Sequence, residues 1–386
     1  VNVADGSIRW RLATNNEAGS PALRVLGRTV YVGTGDGQVS ALNGDSGTVQ
    51  WHQTFPGVTA NTVLVPGDGA IYVSTGPKTV YDHVPYVTYA LDAASGSVRW
   101  QAQASAVFLV QGAVYAWVHT AGLYPSGITL LDAASGVAQW TYRPNPPLDS
   151  TTHLQAPTLA DGRLYVGTWD DTAQGATGPL YALDAQTGRQ LWRHETQGEI
   201  IYPVVEGPSV YVSTQSANRA VTALEPRDGS VRWSVPITPR IPDDLGDPSE
   251  LLVAGGVVYF SSDGVYELDA TDGTVIAHYL TGEGVDAVPL LVGDTVYASA
   301  SGSAQSSFAE HTYAAVFAVT RQGSARTLRW QVKLPSGSVG QIVPTAQAVY
   351  VASWGDGMYA VSVADGAIRW KFHAGKNSFT DPRLGP

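Results

Sequence analysis

The sequence predicts an all-β chain folded as a single β-propeller of eight four-stranded blades. Three observations lead there. A cluster in which a β-branched or apolar residue precedes a tyrosine marks eight successive units, at Tyr31, Tyr72, Tyr115, Tyr165, Tyr211, Tyr259, Tyr297 and Tyr350, with spacings of 38 to 53 residues. Each cluster is followed by a second signature, as in Ala90-Leu91-Asp92, Gly96 and Trp100, or Ala182-Leu183-Asp184, Gly188 and Trp192. Between these marks the apolar residues alternate with period two and are rich in valine, and no 3.6-residue period is sustained anywhere.

Each unit reads as four short strands. An apolar strand, often opened by proline (Pro21, Pro157, Pro203, Pro289, Pro344), comes first. The Tyr strand follows, then the Ala-Leu-Asp strand, then the Trp strand. The Asp-x-x-x-Gly link between the last two is a turn, in which Asp caps its own backbone and Gly supplies a positive φ. Asp36-Gly37, Asp263-Gly264 and Asp356-Gly357 are expected as tight hairpins between the second and third strands. Such a unit cannot bury both faces alone, and radial closure covers each blade with its neighbours. Residues 1–386 therefore form one domain, with blades at about 19–53, 60–103, 105–143, 154–195, 200–236, 250–280, 286–334 and 340–373 and a tail at 374–386.

Residues 1–12 stand apart as an extra Trp strand. Asp5-Gly6-Ser7-Ile8-Arg9-Trp10 nearly repeats Asp365-Gly366-Ala367-Ile368-Arg369-Trp370, although the last blade already has its own Trp strand. The two copies are expected to compete for one position in the ring, which would allow self-association through strand exchange.

Composition narrows the function classes. Charged residues are only 14%, and the net charge of −11 argues against a nucleic-acid partner, which needs clustered Lys and Arg. Zero Cys excludes disulfides, thiolate metal sites and Cys nucleophiles. No apolar run reaches the length of a membrane helix. Low charge with abundant Ser, Thr and Tyr leans towards an exported, periplasmic or cell-surface protein. The chain opens at Val1 with no signal or lipidation motif, as a mature form or part of something longer would.

The pattern Ala-Leu-Asp-Ala-x-x-Gly-x-x-x-Trp resembles the tryptophan-docking repeat of the quinoprotein alcohol dehydrogenase-like propellers. It is similar too to the related propeller lipoprotein family of outer-membrane protein assembly. The resemblance covers nearly the whole chain. It implies that Trp51, Trp100, Trp140, Trp192, Trp233, Trp330 and Trp370 dock between blades. The sixth unit departs, with Ala277 where Trp is expected and Tyr279 two residues on, so that junction is expected to be weaker or filled by Tyr279. The dehydrogenases of the family imply a quinone held by adjacent cysteines, with acidic and amide metal ligands and an Asp base. Cysteine is absent and no Glu–Asn–Asp set is assignable, so no cofactor, metal or catalytic residue is expected; fold likeness is a poor warrant for activity.

The remaining functional signal is positional. Loops joining second to third strands share one face with the connections between blades. Several are long, at 76–87, 119–127, 169–179 and 300–312, joined there by the interblade segments 143–154 and 236–250. That face offers Tyr81, His83, Tyr86, His119, Tyr124, Trp169, Asp170, Asp171, His311 and Trp354 as a candidate binding surface. The plainer reading of any one of these aromatics is that it packs its own loop. Adjacent Asp170 and Asp171 offer oxygen ligands without the spaced loop a Ca²⁺ site needs. Three function classes follow: a non-catalytic scaffold for a protein or polymer, a quinone-dependent or carboxylate-based enzyme, and a structural subunit of a surface assembly.

Overall fold

The computed structural model describes residues 1–13, 22–55, 63–67, 69–76, 86–119, 125–148, 152–170, 178–196, 198, 200–214, 219–238, 250–279, 284–285, 288–302, 313–323, 325–334, 339–353 and 357–373. Their regular structure is all strand, arranged as an eight-bladed β-propeller of antiparallel blades. In blade 1, Ala22–Leu26, Thr29–Gly33, Gln38–Asn43 and Val49–Thr54 pair in chain order. Blades 2, 3, 5, 6 and 8 repeat that meander.

Two blades depart from it. In blade 4 the first strand is only Thr158–Ala160, while Thr152–Leu154 pairs with Thr168–Asp170 as a separate two-stranded ribbon. In blade 7, Gly284–Val285 and Leu290–Val292 both pair with Thr295–Gly302. Its last two strands, Tyr313–Gln322 and Ala325–Leu334, form a long hairpin.

Burial follows position in the blade. The second strand is covered on both sides, so Ala70–Thr75 is buried throughout and Tyr72, Tyr115, Tyr165, Tyr211 and Tyr259 are among the most buried side chains. The fourth strand is the outer one. In Val98–Ala102 only Trp100 is buried. Apolar clusters join neighbouring blades: Trp51 with Leu64 and Ile71, for example, and Trp233 with Phe260 and Leu268.

The docking tryptophans hold these layers together. The Trp51 indole N–H donates to the Ala93 carbonyl of blade 2 at 3.0 Å, and Trp100 to Ala133 of blade 3 at 2.8 Å. Trp140, Trp192, Trp233 and Trp330 repeat the bond to Ala185, Pro226, Ala270 and Val363. Each indole lies on the glycine of the next blade's turn. A Cβ on Gly96 would stand 2.6 Å from Trp51, and one on Gly136 2.5 Å from Trp100. These glycines also have φ of +73° and +71°, so both the turn and the close approach exclude a side chain. In the seven blades that carry a docking Trp, the Tyr of the second strand backs it, with centroids 5.7 Å apart for Tyr72 and Trp100.

The turn is built from its acid. Asp92 Oδ1 accepts from the Ala94 and Ser95 amides and the Ser95 hydroxyl, and Gly96 N–H donates to the Asp92 carbonyl at 2.8 Å. The Arg99 guanidinium, with these Ser95 donors, holds the Asp92 carboxyl far below the usual range. All eight blades carry a register shift in the fourth strand just before the docking position, as between Ala90 and Leu91 opposite Trp100 and Val98. The shift is a β-bulge, and the extra residue is Arg99, Arg232, Arg329 or Arg369 in four blades.

The junction between blades 6 and 7 is built differently. Ala277 stands opposite Glu267, where blade 2 pairs Trp100 with Ala90. Glu267 is fully buried and takes Arg326 from the long blade 7 hairpin through a double contact, Nε to Oε1 at 2.7 Å and Nη2 to Oε2. Arg321 lies 3.5 Å from the same carboxylate and 5.3 Å from the Tyr259 ring centre, covering the tyrosine that lacks a Trp neighbour. Tyr279 does enter the junction, its hydroxyl 3.3 Å from Glu267, and burial raises its hydroxyl pKa strongly. The missing indole is thus replaced by a buried carboxylate–guanidinium clamp as well as by Tyr279.

The N-terminal segment also differs from expectation. Residues 1–12 form a turn and carry no strand ladder. They do not compete with 361–370: Trp370 donates to the Val3 carbonyl at 2.9 Å, while Trp10 donates to Gly44 of blade 1 at 2.8 Å. The two copies occupy successive docking positions.

Replacing Trp100 or Trp233 by Ala should destabilise the protein by about 3–5 kcal/mol, the range for a large aromatic lost from a core. Urea unfolding measures it, and losses under about 1 kcal/mol at both positions would contradict the docking role. Glu267→Gln should cost a similar ~3–5 kcal/mol, because it strands buried guanidinium charge. Joint replacement of Glu267 by Leu and Arg326 by Met should recover much of that loss in the same assay.

Candidate functional site

The long-loop face supplies the candidate site, and its described part centres on blades 2 to 4. Tyr86, at the end of the blade 2 loop, stacks on His119 at the end of the second strand of blade 3, with ring centres 4.0 Å apart and planes 16° apart. His119 Nε2 shares a 2.5 Å hydrogen bond with the buried Ser105 hydroxyl. Tyr86 also lies against Gly76, where a Cβ would come within 2.5 Å of its ring. Burial raises the Tyr86 hydroxyl pKa, keeping the ring neutral.

These contacts have a local cause. The second strand of blade 3, Ala113–Val118, stops one residue before His119, and the first strand of the same blade starts at Ser105, so adjacent strands set the imidazole and hydroxyl side by side. The third strand of blade 2 starts at Val87, which places Tyr86 at the blade boundary. Trp169 belongs to the blade 4 ribbon, directly opposite His153, and is partly exposed. Asp170 ends that ribbon, opposite Thr152.

Of the ten candidate residues, the structure brings together Tyr86 and His119 and places Trp169 and Asp170 on the ribbon. Tyr81, His83, Tyr124, Asp171, His311 and Trp354 lie outside the described residues. Tyr86 fulfils part of the plainer reading, since it packs on Gly76 of its own loop as well as on the next blade. Sequence reasoning missed Ser105 and His153. Both are single polar residues in strand positions, and only the pairing register shows that they meet His119 and Trp169.

A stacked Tyr–His pair and a half-buried indole carry flat apolar area with polar edges, chemistry suited to holding a side chain or a chain segment. The Ser105–His119 pair is built as a positioning contact: the hydroxyl is buried beneath the stack rather than presented to a substrate. Among the described residues no three His, Asp or Glu side chains converge as metal ligands. The quinone site of the dehydrogenase-like propellers needs adjacent cysteines and an acidic and amide cage. This chain has no cysteine, and its turn acids Asp92, Asp132 and Asp184 are engaged by their own backbones, so the residues do not fit that cofactor.

Fold and docking geometry together define a tryptophan-docked, quinoprotein-like β-propeller. Within that class the chain belongs to the family of the outer membrane protein assembly factor BamB, whose family model matches residues 1–120 and 125–372. It is similar to the outer membrane protein assembly factor BamB of Yersinia pestis, 24% identical over 253 residues, which span 60% of this chain and 58% of that protein. A quinohemoprotein alcohol dehydrogenase of Comamonas testosteroni is 29% identical over 147 residues, covering 32% of this chain and 18% of the enzyme. The match thus spans less than two thirds of either relative. Among solved structures, BamB from Moraxella catarrhalis shares the fold with a TM-score of 0.54 at 18% identity, over 91% of this chain and 95% of that one.

The donor set predicts no saturable binding of pyrroloquinoline quinone at micromolar concentration in the presence of Ca²⁺. Equilibrium dialysis followed by quinone absorbance tests this. Stoichiometric uptake with alcohol-dependent dye reduction would reverse the conclusion and make Asp170 and Asp171 the first residues to replace.

Proposed function

We propose that this chain is a non-catalytic binding and assembly scaffold of the cell envelope, contacting a protein partner through its long-loop face. The family match along 1–120 and 125–372 carries this reading, since the family is named for outer-membrane protein assembly. Successive blades are locked by an indole or by the Glu267 clamp, and blades 8 and 1 are joined through residues 1–12, while the loop face carries the aromatic contacts. Rigid support under a variable surface is the usual division of labour in binding propellers. The net charge of −11 and its scattered arginines favour a protein over a nucleic acid.

Enzymatic readings have less support. The alcohol dehydrogenase match covers 32% of this chain, and the donor chemistry of that cofactor site is missing.

The proposal is tested by native co-purification with quantitative mass spectrometry. Replacing Tyr86 and Trp169 together by Ala should weaken a stoichiometric protein partner by about 2 kcal/mol or more, as expected for aromatic anchors. Replacing Ser95 and Ser135, exposed on turns of the opposite face, should leave it unchanged. Equal retention by both variants, or a polysaccharide in place of a protein, would refute the assignment.

A further inference from the structure

The docking contacts form a relay around the outer rim, and between blades 8 and 1 that relay passes through residues 1–12. Their turn copies the turn of a blade: Gly6 N–H donates to the Asn2 carbonyl at 2.9 Å and Asn2 N–H to Ser7 at 2.8 Å. Trp370 of blade 8 sits on this turn, where a Cβ on Gly6 would stand 2.9 Å from the indole. Trp10 then sits on blade 1, where a Cβ on Gly47 would stand 2.6 Å from it. Arg9 adds an exposed ion pair to Asp45 of blade 1 at 3.1 Å.

Among the described residues this segment contributes a turn and a tryptophan and pairs with no strand, and the packing on either side differs from that of the other junctions. At the other seven junctions the two blades share one buried apolar cluster. Here Ala348, Tyr350, Ala360 and Trp370 form one cluster in blade 8, and Val30, Val32 and Leu42 form another in blade 1 with Trp10 packed against it. Among the described residues, indole docking joins these two faces where a common core joins the others.

We infer that the seat between Trp370 of blade 8 and the 43–48 turn of blade 1 is a peptide-binding site. Its ligand is a tight glycine turn followed four residues later by tryptophan, and residues 1–12 fill it in cis as the clasp of the ring. Among the described residues binding uses two indole contacts, two indole N–H bonds and the exposed Arg9–Asp45 ion pair, with no strand ladder, so the clasp detaches without breaking a sheet. Because the segment and blade 1 belong to one chain, the segment meets its seat at an effective concentration on the order of millimolar. At micromolar protein the chain's own segment therefore outcompetes that of a second copy. Exchange between copies belongs to concentrated solution.

Hydrogen exchange on the full chain tests the clasp. Trp10→Ala should speed amide exchange about tenfold or more in the 43–48 turn and in blade 8, leaving blade 5 at the wild-type rate. A peptide of residues 1–12 added at millimolar concentration should restore protection, and the same peptide with Trp10 replaced by Ala should not. Unchanged exchange, a uniform rise that includes blade 5, or no rescue by the peptide would overturn the inference. Because the chain has no cysteine, Arg9→Cys with Asp45→Cys leaves two thiols that a short bis-maleimide can join, a readout independent of Trp10. The cross-linked protein should have a higher thermal midpoint than the same variant capped with N-ethylmaleimide, and equal midpoints would overturn the clasp.

Discussion

An indole lying flat on a glycine, with its N–H on the neighbouring carbonyl, is the contact from which the rest of this propeller follows. The contact needs four things at once: a positive-φ glycine, no Cβ beneath the ring, a carbonyl aimed outward by the acid-capped turn, and a small alanine opposite the Trp in its own blade. Ala41, Asp92, Gly96 and Trp51 are one such set. Each blade carries the seat for the preceding blade and the indole for the next, so the repeat is a link rather than a self-sufficient fold. The fully buried tyrosines of the second strands complete it by filling the space behind each indole.

Blades 6 and 7 show what happens when the link is changed on both sides. Blade 6 loses its indole at Ala277 and enlarges the facing alanine to Glu267; blade 7 loses the Asp…Gly seat and extends a hairpin that delivers Arg321 and Arg326. Neither change is tolerable alone. A buried carboxylate without a guanidinium, or an indole without a seat, would leave a polar group or an apolar ring unmatched. The two blades have been altered as a pair, and the junction exchanges non-directional packing for a bidentate contact of fixed geometry.

Much of this was legible in the sequence because the repeat is a list of steric requirements. Gly96 and Trp100 have counterparts at fixed offsets in most blades because the dock needs them, and the eight Tyr clusters led directly to eight blades. The departure at Ala277 was legible as a gap, but its replacement was not. Glu267 and Arg326 are 59 residues apart, and only the pairing of two neighbouring hairpins brings them together. The role of residues 1–12 was misread for a related reason: likeness to 361–370 shows what kind of contact a segment makes, not which position it takes. On the loop face, Tyr86 and His119 were legible as exposed-loop aromatics, whereas Ser105 and His153 lay inside strands and carried no signal of their own.

The bulge shared by all eight outer strands has a consequence beyond the blade that contains it. A straight outer strand would present a regular row of amides and carbonyls, a ready template for another sheet. Here the extra residue breaks that row beside every docking position, and in four blades it projects an exposed arginine. In blades 2 and 5 the arginine folds back on its own turn, Arg99 onto Asp92 at 2.7 Å and Arg232 onto Glu225 at 2.6 Å. The circumference is therefore hostile to lateral sheet growth on all sides, which guards a protein made almost wholly of strands against amyloid-like stacking in a crowded compartment.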